Sequence, residues 1–181
     1  MTTMEVLIDP TGASERASDM TLSPRPGTLA GLRVALLDNT KPNATPLLEA
    51  LGHELRQRHG IGSVTMYTKD YFGTPVKDEL RDEIVRECDL VVTAVGDCGS
   101  CSAATVLDGI IFERHGLPAV SIVSDSFLMS GQAMASLQGF PGYDFLAATH
   151  PIASLSAEEL KGRAEELIAG VERILGAEVV A

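Results

Sequence analysis

Cysteine is scarce in this chain, three in 181 residues. That is too few for a disulfide framework, and in a chain read as cytoplasmic it points to catalysis, metal binding or ordinary packing. Positive charge is scarce as well. Lys and Arg number 14 against 25 Asp and Glu, for a net charge of -11, and none of the basic residues form a run. Phosphate-backbone affinity needs clustered Lys and Arg, so nucleic acid is not an expected partner. No stretch approaches the roughly 20 apolar residues of a membrane span. The opening MTTMEVLIDPTG lacks the basic-then-apolar pattern of a signal peptide. The expectation is a cytoplasmic protein without a membrane partner.

Several site motifs are missing too. No G-x-G-x-x-G follows a β-rich run and no Walker lysine is present, so no nucleotide cofactor is supported. The G-x-S-x-G elbow of the common serine hydrolases is absent. A structural zinc site draws four ligands, usually from two C-x-x-C pairs, and this chain has one. His150 and an aspartate could complete a catalytic-type set, but no metal is assigned and no cofactor is predicted.

What is present is a regular alternation. With 45% hydrophobic residues the chain is long enough for one well-buried core. Residues 1–31 show no sustained period and read as an N-terminal arm that packs across the domain or onto a second subunit. Residues 32–181 read as one α/β domain. Its β-rich runs are Leu32–Asp38, Ser63–Thr68, Asp89–Val95, Pro118–Ser124 and Tyr143–Thr149.

Helical segments separate these runs. Leu47, Leu48, Leu51 and Leu55 share one face of the first helix, for which Thr45 and Pro46 fit N-cap and N1. Further helices are expected near Pro75–Cys88, from about Ser100 to His115, and over roughly Ser126–Gln138. Ser156 and Glu159 announce the last with a capping box, and Leu160, Ala164, Leu167, Ile168, Val171, Ile174 and Leu175 form its apolar stripe. Strands apolar on both faces and joined by helices imply a parallel sheet with right-handed crossovers. For five strands the commonest order is the flavodoxin-like 2-1-3-4-5 in a three-layer domain.

In such a sheet, ligands bind beyond the carboxyl ends of the strands, where the strand order reverses. That crevice lies between the first and third strands. The first ends in Asp38, Asn39, Thr40, Lys41, Pro42 and Asn43, and the third in Gly96, Asp97, Cys98, Gly99, Ser100 and Cys101. The fourth adds Ser124 and Asp125, and the fifth adds His150. Cys98 precedes a helix whose unpaired amides favour a thiolate, and cysteines in that position reach pKa values of about 3.5 to 7.5. Cys101, in the first turn, is close enough to form a disulfide with it or to accept a hydrogen bond. Packing of two small thiols in a turn is the plain alternative. Lys41 can bind an anion or favour the Cys98 thiolate, and His150 can move a proton or fix its loop. His59 and His115 read as helix-end caps, His53 as solvated and Cys88 as core.

The segments LLDNTKPNA (36–44), AVGDCGSCSAATVLDGIIFERHGLPAV (94–120) and THPI (149–152) together resemble the UGSC-motif (seleno)protein family. In that family the first motif position can be selenocysteine; here it is Cys98. The resemblance implies that Cys98 is the reactive position, with Gly99, Ser100 and Cys101 completing the motif, and that the work is redox or nucleophilic. The loop-cysteine-helix arrangement is also similar to the aspartate/glutamate racemase superfamily, whose members use a second cysteine from a duplicated half. Here His150, Asp97 or a partner subunit would have to supply the second base.

The reading is a thiol-dependent enzyme acting on a small-molecule substrate. Cys98, Cys101, His150 and Asp97 are its candidate catalytic residues. Asp38, Asn39, Lys41, Asn43, Gly99, Ser100, Ser124 and Asp125 are candidate binding residues. A thiol reductant is a possible partner, as is a second copy of the chain or a heteromeric subunit. Lyase, isomerase or racemase chemistry on a small acid, and a non-catalytic binding subunit, are the alternatives.

Overall fold

The computed structural model describes residues 21–177. Five parallel strands form one sheet: β1 (Arg33–Asp38), β2 (Ser63–Thr68), β3 (Leu90–Gly96), β4 (Ala119–Ser124) and β5 (Leu146–Ala148). Their order is β2-β1-β3-β4-β5, the flavodoxin-like arrangement. Between them run α1 (Ala44–His59), α2 (Asp78–Glu87), α3 (Gly99–Arg114), α4 (Leu128–Leu137) and, after β5, α5 (Ala157–Leu175).

Two apolar layers hold the sheet. On one face, alternate residues such as Val34, Leu36, Val92 and Ile122 pack against Leu47, Leu48, Leu51 and Leu55 of α1 and the whole predicted stripe of α5. On the other, Ala35, Leu37, Val91 and Ala119 meet Ile84 of α2 and Phe112 of α3, while Val123 meets α3 and α4. The central strands β3 and β4 are buried along their full length. That explains why they read as continuous apolar runs rather than alternating ones.

Several boundaries differ from the sequence reading. The N-cap of α1 is Asn43, not Thr45. Thr45 lies inside the first turn, and its hydroxyl donates to Asp38 Oδ2 at 2.6 Å, so it is not free to cap the helix. Helix α2 starts at Asp78, with Lys77 as an extended N-cap, while the Val76 N–H just before it is donated to the Asp108 carboxylate at 2.7 Å. Before α4, Asp125–Phe127 form a 3-10 turn. Strand β5 has three residues, since Tyr143 leaves the sheet to pack beside Phe140 and Val106.

Other features match their expectations. The α5 capping box forms in both directions between Ser156 and Glu159. His115 caps α3, its Nδ1 lying 2.7 Å from the Ile111 carbonyl oxygen, and Cys88 is buried. His59 departs from its expected capping role: Gly60 is the C-cap of α1, and the His59 ring turns to α5, with Nε2 2.8 Å from Glu172. Of the arm, residues 1–20 fall outside the described residues. Ser23 and Arg25 bind Glu113 of α3, and Leu29 is fully buried, so the rest lies across its own domain.

No helix among the described residues is long and apolar enough to cross a membrane. No group of three or more His, Cys, Asp or Glu among them is arranged to hold a metal ion.

Candidate functional site

The carboxyl ends of β1, β3, β4 and β5 meet at one edge of the sheet, and hydrogen bonds stitch their loops together. Asn39, just past β1, donates its N–H to Ala94 O at 3.1 Å and its side-chain amide to Val95 O at 2.9 Å. Asn43 donates to Ile152 O and Leu155 O, both at 2.9 Å. Asp97, just past β3, accepts the N–H groups of Ile152 at 3.1 Å and Ala153 at 2.9 Å. The loop after β5 is therefore clamped from two sides.

Cys98 stands at the turn from β3 into α3. The turn needs Gly96: a Cβ there would come within 2.6 Å of the Ser102 backbone, so only glycine lets the helix start lie this close to the strand. Cys98 is the N-cap of α3 in an extended conformation, and its Sγ accepts the Cys101 N–H at 3.3 Å. It is half-buried, whereas Cys101 is fully buried. The two sulfurs are at disulfide distance with Cα atoms 5.4 Å apart, inside the range of about 4.4–6.8 Å that a disulfide spans. Cys101 Sγ also accepts the Asp97 N–H at 3.1 Å, and Ser100 Oγ lies 3.7 Å from Cys98 Sγ.

Beside the cysteines lies an aspartate-histidine pair. His150 Nδ1 is 2.9 Å from Asp97 Oδ1 and 3.2 Å from Ser124 Oγ. An ionised carboxylate can only accept, so Nδ1 carries the proton and Nε2 is left free to exchange one. The Asp97 side chain is 3% exposed and that of His150 36%. Burial works against the Asp97 charge, but donors at Ala153, Ser124, Ile152 and His150 outweigh it and hold the carboxyl below its ordinary range. Asp97 thus stays ionised, with both carboxylate oxygens engaged by protein donors. The His150–Pro151 peptide bond is cis, and Asp125 Oδ1 accepts the His150 N–H at 3.2 Å.

The remaining candidates divide into scaffold and mouth. Asn39 is fully buried with its amide oxygen on the Lys41 N–H, and both Asp38 oxygens are used, by Thr40 N–H and Thr45 Oγ. Asp38, Asn39 and Asn43 therefore build the loops instead of lining an open pocket. Ser124 is buried behind His150. Lys41, Gly99, Ser100 and Asp125 keep exposed or half-exposed surface.

Two aromatic neighbours escaped the sequence reading. Phe127 meets the His150 ring edge-on at 5.5 Å, and the Phe72 ring lies under Lys41 Nζ at 4.5 Å. In a chain with five phenylalanines, one in the loop after β2 and one after β4 was the available signal. Clefts of about 410 and 290 Å³ lie elsewhere, against α1 and α5 and beside β2 and α2, and no cysteine lines them.

A model of the UGSC family matches residues 6–177, nearly the whole chain. The chain belongs to the UGSC family. A search of curated proteins finds no match. In this UGSC-family chain the stretch Cys98-Gly99-Ser100-Cys101 forms the strand-to-helix turn itself, so both thiols and the amide end of α3 occupy one small volume.

Proposed function

We propose that the protein is a thiol-dependent oxidoreductase of small molecules, with Cys98 as the attacking thiol and Cys101 as the resolving one. The observation that carries the reading is the pairing of a half-exposed N-cap cysteine with a fully buried one at disulfide distance. The amide end of α3 favours negative charge on Cys98, and the Asp97-His150 pair offers a proton carrier.

For a disulfide substrate, the Cys98 thiolate attacks one sulfur and the other leaves as a thiolate, which takes a proton from His150. Cys101 then attacks Cys98 Sγ, breaking the mixed disulfide, and its proton passes to the departing substrate sulfur, which leaves as the second thiol, giving a Cys98-Cys101 disulfide. The substrate is reduced by two electrons, and an external thiol reductant returns the enzyme to the dithiol. The family resemblance, with a chalcogen position at Cys98, fits this assignment.

The Asp97-His150 contact also favours a second reading, in which Cys98 adds to an electrophilic carbon, His150 serves as acid and base, and no net oxidation occurs.

Mass spectrometry of differentially alkylated protein across a series of glutathione redox buffers separates the two. The redox reading expects a reversible Cys98-Cys101 disulfide while Cys88 stays reduced. It is overturned if no disulfide forms at any poise, and rapid alkylation of Cys98 in that case leaves the second reading. If Cys98 resists alkylation until the chain unfolds, both fall.

A further inference from the structure

Most lysines and arginines among the described residues have a carboxylate partner, as Arg25 has Glu113, Arg33 has Asp89 and Lys69 has Asp108. Lys41 has none among the described residues, and its ammonium touches the face of Phe72 instead. A ring face holds a cation in place without neutralising it. In a chain of net charge -11 that is an unspent positive charge.

Its backbone is fixed with unusual firmness. Thr40, immediately before it, has φ 67, and Asn43 has φ 69. Asparagine tolerates the left-handed region, but a β-branched threonine does so at a cost and persists there only when its surroundings dictate it. Here they do. Asp38 Oδ1 accepts the Thr40 N–H at 2.7 Å, Asn39 Oδ1 accepts the Lys41 N–H at 3.2 Å, and Asn43 is tied to the loop after β5. Because Asn39 is bonded to Ala94 and Val95 of β3, the loop that presents Lys41 leaves the sheet beside the one that presents Cys98. The carboxylates nearest to both residues in sequence, Asp38 and Asp97, are satisfied by protein donors and form no ion pair with Lys41.

We propose that Lys41 is an anion anchor for the Cys98 site, so that its substrate is a small molecule bearing a carboxylate. This rests on the reading of Cys98 as the nucleophile. Lys41 pairs with the carboxylate while the reactive atom of the same molecule lies at Cys98 Sγ. Phe72 keeps the ammonium from folding back onto the protein's own acidic surface.

The test compares alkylation of Cys98 by iodoacetate, which is anionic, with that by iodoacetamide, which is neutral, in the reduced full-length chain. Mass spectrometry reads the label at each cysteine, and buried Cys88 reports any unfolding. The ratio of the two rates is expected to fall about fivefold or more in Lys41→Met, to survive in Lys41→Arg, and to approach the Lys41→Met value in wild type near 1 M salt, where the screening length is about 3 Å. A substitution that only altered thiol ionisation would slow both reagents alike and leave the ratio unchanged, which overturns the anchor.

Titration with succinate, followed by the amide resonances of Lys41 and Gly99, reads the anchor without thiol chemistry. Saturable shifts that vanish in Lys41→Met support it, and their absence in wild type overturns it. If Cys98 takes neither reagent while succinate still binds through Lys41, the nucleophile assignment falls and the anchor stands.

Discussion

Asp97 and Asp108 are both buried carboxylates, eleven positions apart on the same β3-α3 unit, and they serve opposite ends. Asp97 is held below its ordinary range by donors that outweigh its burial. Asp108 is pushed up to about 6 by burial, against the opposing pull of Lys69. Around Asp97 the network opens outward, through a histidine with a free ring nitrogen and a half-exposed thiol. Around Asp108 it is closed, with Lys69 Nζ at 2.5 Å, the Val76 N–H at 2.7 Å and side-chain exposures of 0% and 2%. Polarity and burial are common to both, so neither marks a site. What differs is whether any donor, acceptor or nucleophile is left over for a ligand.

The closed pair should dominate stability. Asp108→Ala leaves the Lys69 ammonium buried without its partner, and such a break costs about 3–5 kcal/mol. Urea unfolding at pH 7 measures it. The double variant Lys69→Met with Asp108→Leu should recover most of the loss, because two apolar side chains leave no charge unpaired. A single-variant cost below about 1 kcal/mol would mean that the pair is not sealed from water and would erase the contrast.

Asp97→Asn comes next, at about 1–3 kcal/mol, since it weakens hydrogen bonds to a charged acceptor but keeps the shape. The pH dependence of the two penalties should have opposite sign. Asp97 has a folded value below its ordinary 3.8, so its contribution is complete above pH 3.8 and is lost as pH falls through the folded value. The penalty of Asp97→Asn therefore shrinks in acid. Asp108 has a folded value above 3.8, so the native protein loses stability as pH rises from 3.8 through about 6. The penalty of Asp108→Ala is therefore greatest in acid and shrinks over that interval. Unfolding curves of wild type and both variants from pH 3 to 8 check this, and parallel pH profiles would break the comparison.

Much of the open region was legible because strand ends can be read from apolar runs, and the fold rule gathers those ends. Cys98, Cys101, Asp97 and His150 were named on that ground, and β2 was bounded to the residue. The closed region was not legible. Lys69 and Asp108 are 39 positions apart, and only the packing of α3 on the same face of the sheet as α2 brings them together. The same limit explains Asn39 and Asn43. A polar loop residue looks available in sequence, and its partners, Val95, Thr105, Ile152 and Leu155, are backbone and side-chain groups contributed by distant segments. Thr45 failed as a predicted cap for a similar reason, since a hydroxyl suited to an N-cap was claimed by Asp38.

The smallest expected change in stability belongs to the residue with the largest expected part in the chemistry. Cys98 is the N-cap of α3 and accepts the Cys101 N–H through sulfur. Serine is among the preferred N-cap residues and accepts the same bond through oxygen. Cys98→Ser should therefore shift the unfolding free energy under reducing conditions by no more than about 0.5 kcal/mol. Its hydroxyl, far less acidic than a thiol, should abolish alkylation at position 98 and any disulfide with Cys101. Denaturant unfolding and labelling of one preparation test both halves. Stability preserved with reactivity lost separates the open region from the closed one, whereas a loss comparable to that of Asp108→Ala would make Cys98 a structural thiol and remove the ground for a catalytic reading of the turn.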